Sequence, residues 1–364
     1  MSEPLDPIGF AIVGSGSIAA FHAAAIAATR GAKLVAVCSR SADKAKTFAA
    51  TVGAAAEPTL EALLARRDVE VVCVATPSGR HRDIALPALR AGKHVLCEKP
   101  LEITTERVDE MIATAEERGL ILAGVFQQRF GPGAQRLKHA VVEGRFGKLT
   151  LCSAYVKWWR DRDYYTSSTW KGTAALDGGG ALMNQGIHAV DLLQWLAGMP
   201  TSVVAQTRVR VHPIETEDTV VALLDFAGGA LGVIEASTAC YPGSSLRIEL
   251  MGERGTAVLE NGAITDWRFA DERPGDAEIR AQQVAGASGG AADPKAIGIE
   301  GHRTVMVDLV SALREGRSPA VPGREARNAV AIVEAIYQSH RTGGRVQLDP
   351  QNATRGSRAR RDYD

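Results

Sequence analysis

Cysteine and aromatic residues are both scarce in this 364-residue chain. Aromatic residues make up 5% of the sequence, and the five cysteines are scattered and never spaced as Cys-x-x-Cys. We therefore expect neither a disulfide framework nor a zinc site or other metal centre. Cys38, Cys73 and Cys97 lie in valine-rich runs, which indicates buried thiols on strands of a protein in a reducing cytoplasm.

An excess of charge and a long hydrophobic run are also missing. The 42 Lys and Arg residues balance the 42 Asp and Glu residues, so there is no basic field to attract nucleic acid or an anionic membrane. Apolar stretches such as Ile18–Ala28 are shorter than the roughly 20 residues that span a bilayer. Met1–Pro7 carries two acids and no basic residue, unlike a secretory signal. We expect a cytoplasmic protein whose partner is a small molecule, with no nucleic acid and no membrane.

Short β-branched runs alternate with helical patterns up to residue 126. Continuous apolar strands separated by helices are typical of a parallel sheet covered on both faces. The predicted strands are Ile8–Val13, Lys33–Cys38, Val69–Ala75, His94–Glu98 and Leu120–Phe126. The predicted helices are Ile18–Thr29, Asp43–Thr51, Leu60–Arg66, Arg80–Ala91 and Thr104–Arg118. This pattern predicts an α/β domain over residues 1–126.

A different pattern follows over residues 127–350, where strands are joined by short turns, as in an antiparallel sheet. The strands include Thr219–Phe226, Ala230–Ser237, Ser245–Met251 and Thr256–Glu260, and the helices Pro132–Glu143, Gly180–Leu196, His302–Arg314 and Arg324–Arg341. We predict an α+β domain with a mobile loop at Ala281–Pro294. Residues 351–364 are predicted to be a disordered tail, with a basic contact arm as the alternative.

The first predicted strand ends in Gly14-Ser15-Gly16-Ser17-Ile18-Ala19, which has the form Gly-x-Gly-x-x-Ala and opens a helix. Gly14 permits a tight turn, Gly16 lets a pyrophosphate approach the backbone, and Ala19 allows close packing of helix and strand. The helix N-terminus offers free N–H groups to the phosphates. We expect the loop from Gly14 to Ile18 to bind a dinucleotide; a purely structural glycine turn is the alternative.

The second strand ends in Ser39-Arg40, where an NAD-preferring site usually places a carboxylate for the ribose hydroxyls. A carboxylate repels a 2′-phosphate, whereas a hydroxyl and a guanidinium attract one. The sequence therefore predicts that NADP is tolerated or preferred, although NAD stays open. The alternative is a solvent-facing Arg40 beside a site that accepts both cofactors.

Two further segments follow predicted strands of the same sheet. Thr76-Pro77 and the nearby His81 follow the third strand, and Glu98-Lys99-Pro100 ends the fourth. Ligands bind at this edge in doubly wound folds, so we expect Thr76, Pro77, His81, Glu98 and Lys99 to border the cofactor. The Lys99 ammonium can stabilise a developing oxyanion; a surface lysine is the alternative, and His81 is also consistent with simple packing.

In the second half, a triple glycine, Gly178-Gly179-Gly180, opens a predicted helix that carries Asn184, His188 and Asp191. At 3.6 residues per turn these three polar side chains share one face, and they are costly to bury unless they serve each other or a ligand. The spacing does not suit a metal. A hydrogen-bonded histidine between domains is the alternative to a catalytic one.

Together these segments resemble the Gfo/Idh/MocA family, the relatives of glucose–fructose oxidoreductase and inositol dehydrogenase. The resemblance covers about residues 8–349 and rests on Gly14–Ala19, Thr76-Pro77…His81, Glu98-Lys99-Pro100 and Gly178-Gly179-Gly180…His188-Ala189-Val190-Asp191. It implies a Rossmann domain, a second domain with a large, mostly antiparallel open sheet, and oxidation of a sugar or cyclitol hydroxyl. It also implies that Lys99 is the catalytic lysine and His188 the acid/base histidine, whereas Asn184 stands where many members have Asp.

An aromatic stretch, Trp158-Trp159-Arg160-Asp161-Arg162-Asp163-Tyr164-Tyr165, precedes the glycine segment and resembles family members that act on sugars. Aromatic planes and Arg or Tyr side chains suit sugar faces and carboxylates, although an interface is the alternative. The expected substrate contacts are Lys99, Arg129, Trp159, Arg160, Tyr164, Asn184 and His188.

These inferences together predict an NAD(P)-dependent dehydrogenase that oxidises a secondary hydroxyl of a sugar, sugar derivative or cyclitol. Lys99 and His188 are expected to come from different domains and to act on one hydroxyl. Two alternatives stay open: an NAD-dependent glycosidase or lyase that oxidises the sugar transiently, and a non-catalytic dinucleotide sensor. We also expect a homo-oligomer, a dimer or tetramer, formed through the sheet of the second domain.

Overall fold

A computed structural model describes residues 6–281 and 298–348 of the chain. These residues divide into two compact units. The first contains residues up to 130 together with 175–177 and 298–326, and the second contains 131–174, 178–281 and 327–348. Residues 298–326, which the sequence analysis assigned to the second domain, pack with the first unit. The predicted tail at 351–364, and the predicted mobile loop except for Ala281, lie outside the described residues.

Six strands and five α-helices alternate up to residue 130. In chain order they are β1 (Ile8–Val13), α1 (Ser17–Ala27), β2 (Ala32–Cys38), α2 (Ala42–Val52), β3 (Ala55–Glu57), α3 (Leu60–Ala65), β4 (Val71–Val74), α4 (His81–Arg90), β5 (His94–Cys97), α5 (Thr105–Glu117) and β6 (Leu122–Gly124). All five predicted strands and all five predicted helices are present within a few residues of their expected bounds. The short strand β3 was not predicted, because its Ala-Ala-Glu sequence carries no β-branched signal.

The rest of the described chain is richer in strands. Its elements are α6 (Pro132–Val142), β7 (Leu149–Lys157), α7 (Arg162–Thr166), a π-helix (Ala181–Gly186), α8 (Ile187–Ala197), β8 (Pro200–Arg208), β9 (Thr219–Phe226), β10 (Leu231–Ser237), β11 (Arg247–Gly252), β12 (Gly255–Glu260), β13 (Ala263–Phe269), α9 (Asp276–Ala281), α10 (Glu300–Glu315), α11 (Gly323–Thr342) and β14 (Val346–Gln347). No helix in the described part of the chain combines the length and the hydropathy needed to cross a membrane.

The first unit is built on a six-stranded sheet in the order β3-β2-β1-β4-β5-β6. All its strand pairs are parallel. Phe10 and Ile12 of β1 are buried, and they belong to a core that also contains Ile26 of α1 and Met306 and Leu309 of α10. The predicted Rossmann-like α/β fold is therefore confirmed, and a helix from the far end of the chain completes its core.

The second unit is built on an eight-stranded sheet in the order β13-β12-β11-β7-β10-β9-β8-β14. Only β7 and β10 are parallel neighbours, and the other pairs are antiparallel, as predicted. One face carries buried residues such as Ile234 and Ile248, and α8 packs against β7 and β11. The opposite face exposes Leu151, Leu223 and Leu231. The sheet thus has one covered face and one open face, which also carries the ion pairs Lys157–Glu235 and Arg247–Glu249.

All five thiols are free, and four of them are buried. Burial raises the pKa of Cys73, as it raises the pKa of Cys152 to about 12. Because the thiolate is the reactive form, these groups behave as small hydrophobic side chains. The structure thus confirms the prediction of buried thiols on strands for Cys38, Cys73 and Cys97.

Candidate active site

The carboxyl ends of the parallel strands lie at one edge of the first sheet, and this edge collects most of the predicted cofactor residues. The sequence order of the strands reverses between β1 and β4, which is where open α/β sheets bind ligands. The loops after these strands are joined by backbone hydrogen bonds: Gly14 donates to the Cys38 carbonyl at 2.9 Å, and Ala75 donates to the Val13 carbonyl at 2.9 Å. The glycine loop, Ser39, Thr76 and Lys99 therefore all follow strands at this edge.

The two glycines of the first loop have different requirements. Gly14 has a φ of +133°, and a Cβ there would lie 2.2 Å from the Ala75 carbonyl oxygen, so the fold itself demands glycine. A Cβ on Gly16 would meet no atom within 4 Å. Gly16 is the N-cap of α1 and supplies no side-chain cap, which leaves the first N–H groups of the helix available to an anion. This open, glycine-lined helix end fits the pyrophosphate of a dinucleotide.

The end of β2 presents hydroxyl groups. The Ser15 and Ser39 hydroxyl oxygens lie 2.9 Å apart, within hydrogen-bond distance, and Ser39 Oγ also accepts a hydrogen bond from the Ser41 N–H at 3.4 Å. The Arg40 side chain is exposed. Ser39 and Arg40, the residues expected to face the ribose, thus offer a hydroxyl and a guanidinium and no carboxylate.

Thr76 and His81 lie at the neighbouring strand end. The Thr76 hydroxyl is buried and has no hydrogen-bond partner among the described residues, which suits a hydroxyl or amide of a bound cofactor. The His81 nitrogens lie 2.9 Å from the Pro100 carbonyl (Nδ1) and 2.9 Å from the Thr76 carbonyl (Nε2). Burial lowers the pKa of His81 although these carbonyls favour the charged form. His81 therefore links the two loops that follow β4 and β5.

Glu98 lies in a buried polar cluster that the sequence analysis missed. Its Oε1 lies 2.8 Å from His22 Nε2 and 3.1 Å from His302 Nε2, and its Oε2 accepts the Lys99 N–H at 3.1 Å. Burial raises the pKa of Glu98, but the two histidines outweigh that effect and hold the pKa well below its usual value. No spacing pattern marks this cluster, since His302 lies 204 residues after Glu98. The Lys99 side chain is half-buried.

Arg129, predicted to bind substrate, lies in a short 3-10 turn at Gln127–Phe130. Its guanidinium is buried and pairs with Glu325 at 3.3 Å, within the first unit. This ion pair gives Arg129 a contact inside its own unit, and its predicted contact with a substrate stays a prediction.

In the second unit, the predicted helix Gly180–Leu196 begins differently from the expectation. Residues Ala181–Gly186 form a π-helix, and α8 begins only at Ile187. Single π turns are frequent at functional sites. Asn184 and His188 are half-buried, whereas Asp191 is 1% exposed and accepts a hydrogen bond from Gln194 of its own helix at 3.4 Å. Of the three polar residues expected to share one helix face, Asp191 is therefore the most deeply buried.

The π-helix is anchored by Glu217, which the sequence analysis also missed. Its carboxylate accepts the Gly180 and Leu182 N–H groups at 2.9 Å each and the Tyr337 hydroxyl at 2.9 Å, while its carbonyl accepts the Ala181 N–H at 2.9 Å. A Cβ on Gly180 would lie 1.8 Å from that carbonyl oxygen, which explains a glycine here. Burial raises the pKa of Glu217 to about 6, although these hydrogen bonds favour the charged form.

The aromatic stretch is tied to the same segment. Gln185 of the π-helix donates to the Tyr164 hydroxyl at 2.9 Å. Two cations lie over the Tyr164 ring: Lys171 Nζ at 3.6 Å from its centre and Arg160 Cζ at 5.5 Å. The Trp159 ring makes an edge contact with the ring of the exposed Tyr241, and the two ring centres lie 5.6 Å apart. Arg160, Tyr164 and the helix of Asn184 and His188 thus form one connected region of the second unit, with aromatic planes and positive charge.

Comparison with known proteins places both units in one family. Residues 8–126 match the family model described as "Oxidoreductase family, NAD-binding Rossmann fold", and residues 134–258 match the "GFO/IDH/MocA C-terminal domain". Together these matches cover more than half of the chain.

Full-length relatives support the same assignment. Inositol 2-dehydrogenase from Rhizobium meliloti is 26% identical over 347 residues, which cover 91% of this chain and 96% of that protein. D-glucoside 3-dehydrogenase from Escherichia coli is 27% identical, covering 94% of this chain and 98% of that protein. Among solved structures, the WlbA dehydrogenase from Bordetella pertussis in complex with NADH and UDP-GlcNAcA is 34% identical. It has a TM-score of 0.84 and covers 94% of this chain and 99% of that chain.

Proposed function

Because this chain belongs to the Gfo/Idh/MocA family of NAD-binding oxidoreductases, we propose that it is a dehydrogenase for a secondary hydroxyl of a sugar, sugar derivative or cyclitol. The observation that carries the proposal is the sheet edge of the first unit. Three features follow neighbouring parallel strands there: a glycine-lined helix end fit for a pyrophosphate, the Thr76 hydroxyl, which has no partner in the described part of the chain, and the half-buried Lys99.

The residues have distinct roles in the proposed reaction. Gly14 to Ile18 bind the pyrophosphate through backbone N–H groups, and Thr76 orients the cofactor by hydrogen bonding. A nicotinamide cofactor held by these residues would supply the hydride acceptor for the carbinol carbon. The Lys99 ammonium donates a hydrogen bond to the substrate oxygen and stabilises the negative charge that develops there. Neutral His188 takes the hydroxyl proton, so that the substrate leaves as a carbonyl compound. Asn184 orients the substrate.

The substrate region of the second unit is proposed to be formed by the half-buried Trp159, Tyr164 and Asn184 together with the buried Arg160. Aromatic planes suit the apolar face of a sugar ring, and the positive charges of Arg160 and Lys171 suit a carboxylate or phosphate. A neighbour at 34% identity is described in complex with a UDP-linked sugar acid. Sugar acids and nucleotide-linked sugars therefore rank first among the candidate substrates, before neutral sugars and cyclitols.

The end of β2 supports a finer proposal about the cofactor. Ser39 and Arg40 place hydroxyl and guanidinium groups where a carboxylate would exclude a 2′-phosphate. The site accordingly accepts NADP as well as NAD, with NADP favoured.

The open face of the second sheet supports a proposal about assembly. Leu151, Val221, Leu223 and Leu231 are exposed on the adjacent strands β7, β9 and β10, and Leu223 is 59% exposed. Exposed apolar side chains grouped on one face, with charged residues such as Glu235 beside them, are typical of a protein interface. The protein is proposed to form a dimer or tetramer through this face.

One experiment tests the function. Sugars, sugar acids, nucleotide-linked sugars and cyclitols are incubated with NAD and with NADP, and the absorbance of the reduced cofactor is followed. A dehydrogenase releases reduced cofactor in proportion to the hydroxyl oxidised, whereas a glycosidase or lyase converts sugar without net reduction. A sensor would bind the dinucleotide and turn over nothing.

Variants then test the residues. Lys99→Ala and His188→Ala should each lower kcat by about 10²–10⁴-fold, because each removes a positioned acid/base or charge-stabilising group. Dinucleotide affinity should stay near that of the wild type. Exposed residues of the same types provide matched controls, Lys46→Ala in the first unit and His139→Ala in the second, and both should keep full activity. Near-full turnover by Lys99→Ala would refute the proposed mechanism.

A further inference from the structure

The carboxylate of Glu98 accepts three hydrogen bonds in the interior of the first unit. Its Oε1 faces His22 Nε2 of α1 at 2.8 Å and His302 Nε2 of α10 at 3.1 Å. Its Oε2 accepts the backbone N–H of Lys99 at 3.1 Å. The relative exposures are 0% for His22, 5% for Glu98 and 3% for His302, so water does not compete for these bonds. The dehydrogenase reaction as proposed uses only Lys99 among these residues.

The hydrogen-bond partners of the two imidazole rings indicate which ring nitrogens carry a hydrogen. The Nδ1 atoms of His22 and His302 have no hydrogen-bond partner among the described residues, and both Nε2 atoms face a carboxylate, which only accepts. Each Nε2 therefore carries the hydrogen that it donates to Glu98. They pack edge to face with ring centres 5.3 Å apart, and His302 also contacts Phe21 at 5.7 Å. Each ring is thus fixed by packing as well as by its hydrogen bond.

We propose that His22, Glu98 and His302 form a positioning triad that fixes the backbone at Lys99 and thereby aims the Lys99 side chain at the substrate. The inference rests on the proposed function, in which Lys99 acts on a hydroxyl. The bond from Glu98 Oε2 fixes the Lys99 N–H, and the His81 ring fixes the carbonyl of Pro100 on the other side. A catalytic group is effective only when its neighbours restrict its orientation.

The same three residues also have the composition of a metal site. Their potential ligand atoms lie within 4.8 Å of one another, and two imidazoles with a carboxylate is a donor set that zinc or iron binds. The geometry favours hydrogen bonds because both Nε2 atoms lie at hydrogen-bond distance from one oxygen, while the other oxygen accepts the Lys99 N–H. Metal analysis of the purified protein separates the two cases.

The test replaces the residue of the triad that comes from α10. His302→Phe keeps an aromatic ring beside Phe21 and removes the donor to Glu98, whereas His302→Gln keeps an N–H that can reach it. Val305→Ala is the matched control, because Val305 lies one turn away on α10, is buried and makes no bond to Glu98. Glu98→Gln is measured alongside, so the test does not depend on one variant folding. Each protein carries ¹⁵N-lysine, and exchange of the Lys99 backbone N–H is followed with that of the other lysines.

We expect His302→Phe and Glu98→Gln to speed exchange at Lys99 by about 10-fold or more relative to other lysines. The first removes a donor that holds the Glu98 carboxylate in place, and the second leaves one accepting oxygen for partners that now use two. With a substrate from the screen, kcat should fall by roughly 10–100-fold, as expected for a misplaced catalytic group, while KM and NADH affinity change less than about twofold. His302→Gln should recover much of both effects, and Val305→Ala should show neither.

Three results would overturn the inference. Unchanged exchange at Lys99 in His302→Phe and Glu98→Gln would show that the triad does not fix the Lys99 backbone. Faster exchange with normal kcat would show that the triad does not position Lys99 for catalysis. Stoichiometric zinc or iron in the wild type would show that these three residues bind a metal and are not a hydrogen-bonded triad. The exchange measurement needs neither cofactor nor sugar, so a failure of the proposed function is seen separately, as an inactive wild type or a fully active Lys99→Ala variant.

Discussion

Glu217 gives the sharpest stability prediction, because its single carboxylate anchors the π-helix of the second unit and is nearly inaccessible to water. The perturbation is Glu217→Gln, which keeps the shape of the side chain and removes its titration. An amide has one accepting oxygen, so it cannot replace both carboxylate oxygens that accept the Gly180 and Leu182 N–H groups. We expect a loss of stability that is present at every pH, together with a second effect that depends on pH.

The size of the pH effect follows from the pKa of Glu217, which burial raises from the usual 4.5 to about 6. The folded protein therefore holds this proton more tightly than the unfolded chain does. The group contributes most stability below pH 4.5, and that contribution is lost as the pH rises to about 6. A difference of roughly 1.5 pKa units corresponds to about 2 kcal/mol. The glutamine variant lacks this loss because it does not titrate.

The assay is denaturant unfolding of both proteins from about pH 4 to about pH 7.5. The wild type should lose about 2 kcal/mol relative to Glu217→Gln across this range. Glu215→Gln is the matched control, since Glu215 is exposed in the same segment, and its stability should track that of the wild type. A difference between wild type and Glu217→Gln that is independent of pH would refute the reasoning, because Glu217 would then titrate as an ordinary exposed carboxyl.

Three further predictions concern the cofactor, the assembly and the core of the second unit. Arg40→Ala should lower kcat/KM with NADP about 10-fold or more and leave the value with NAD nearly unchanged, because a guanidinium pairs only with the 2′-phosphate. The control Arg30→Ala, at the other edge of the sheet, should change neither value. Equal effects of Arg40→Ala on both cofactors would contradict the proposal. Leu223→Lys should convert the oligomer to smaller species in light scattering, whereas the control Val142→Lys should not, because Val142 is exposed on α6. A wild type that is already monomeric at micromolar concentration would contradict the proposed interface. Asp276→Asn should lower the free energy of unfolding by about 3–5 kcal/mol, because it leaves the buried Arg145 guanidinium without its bidentate carboxylate. A loss no larger than that of Asp266→Asn, which removes the partner of the exposed Arg268, would contradict it.

The parts of the fold that the sequence predicted well are those set by local patterns. The bounds of β1 and β9 match the structure at both ends, because each is a short apolar or alternating run bounded by breakers. The glycine loop after β1 was placed at the strand end for the same reason. In contrast, β3 was not predicted because its sequence Ala-Ala-Glu carries no β signal, and its strand character comes from pairing with β2.

The candidate site was predictable only where its residues lie close together along the chain. The segment from Gly178 to His188 was identified, but its first turn was expected to be α-helical, since nothing nearby in the sequence reveals the distant Glu217 that holds it. Likewise, Glu98-Lys99 was identified, whereas the two histidines that bind Glu98 come from α1 and α10. Such partners are brought together by tertiary structure, and a single sequence has no periodicity that links them.

The first unit takes its covering helix from the far end of the chain, and this has a consequence for the order of events during synthesis. Val305, Met306, Leu309 and Val310 of α10 belong to its core, and burying an apolar side chain of this size contributes roughly 1.5–3 kcal/mol. The nucleotide-binding sheet is therefore synthesised before four of its core residues. More than 150 further residues must follow before α10 can pack against it and complete its core. A nascent chain that stops after residue 130 exposes apolar surface, a target for chaperones and a nucleus for aggregation.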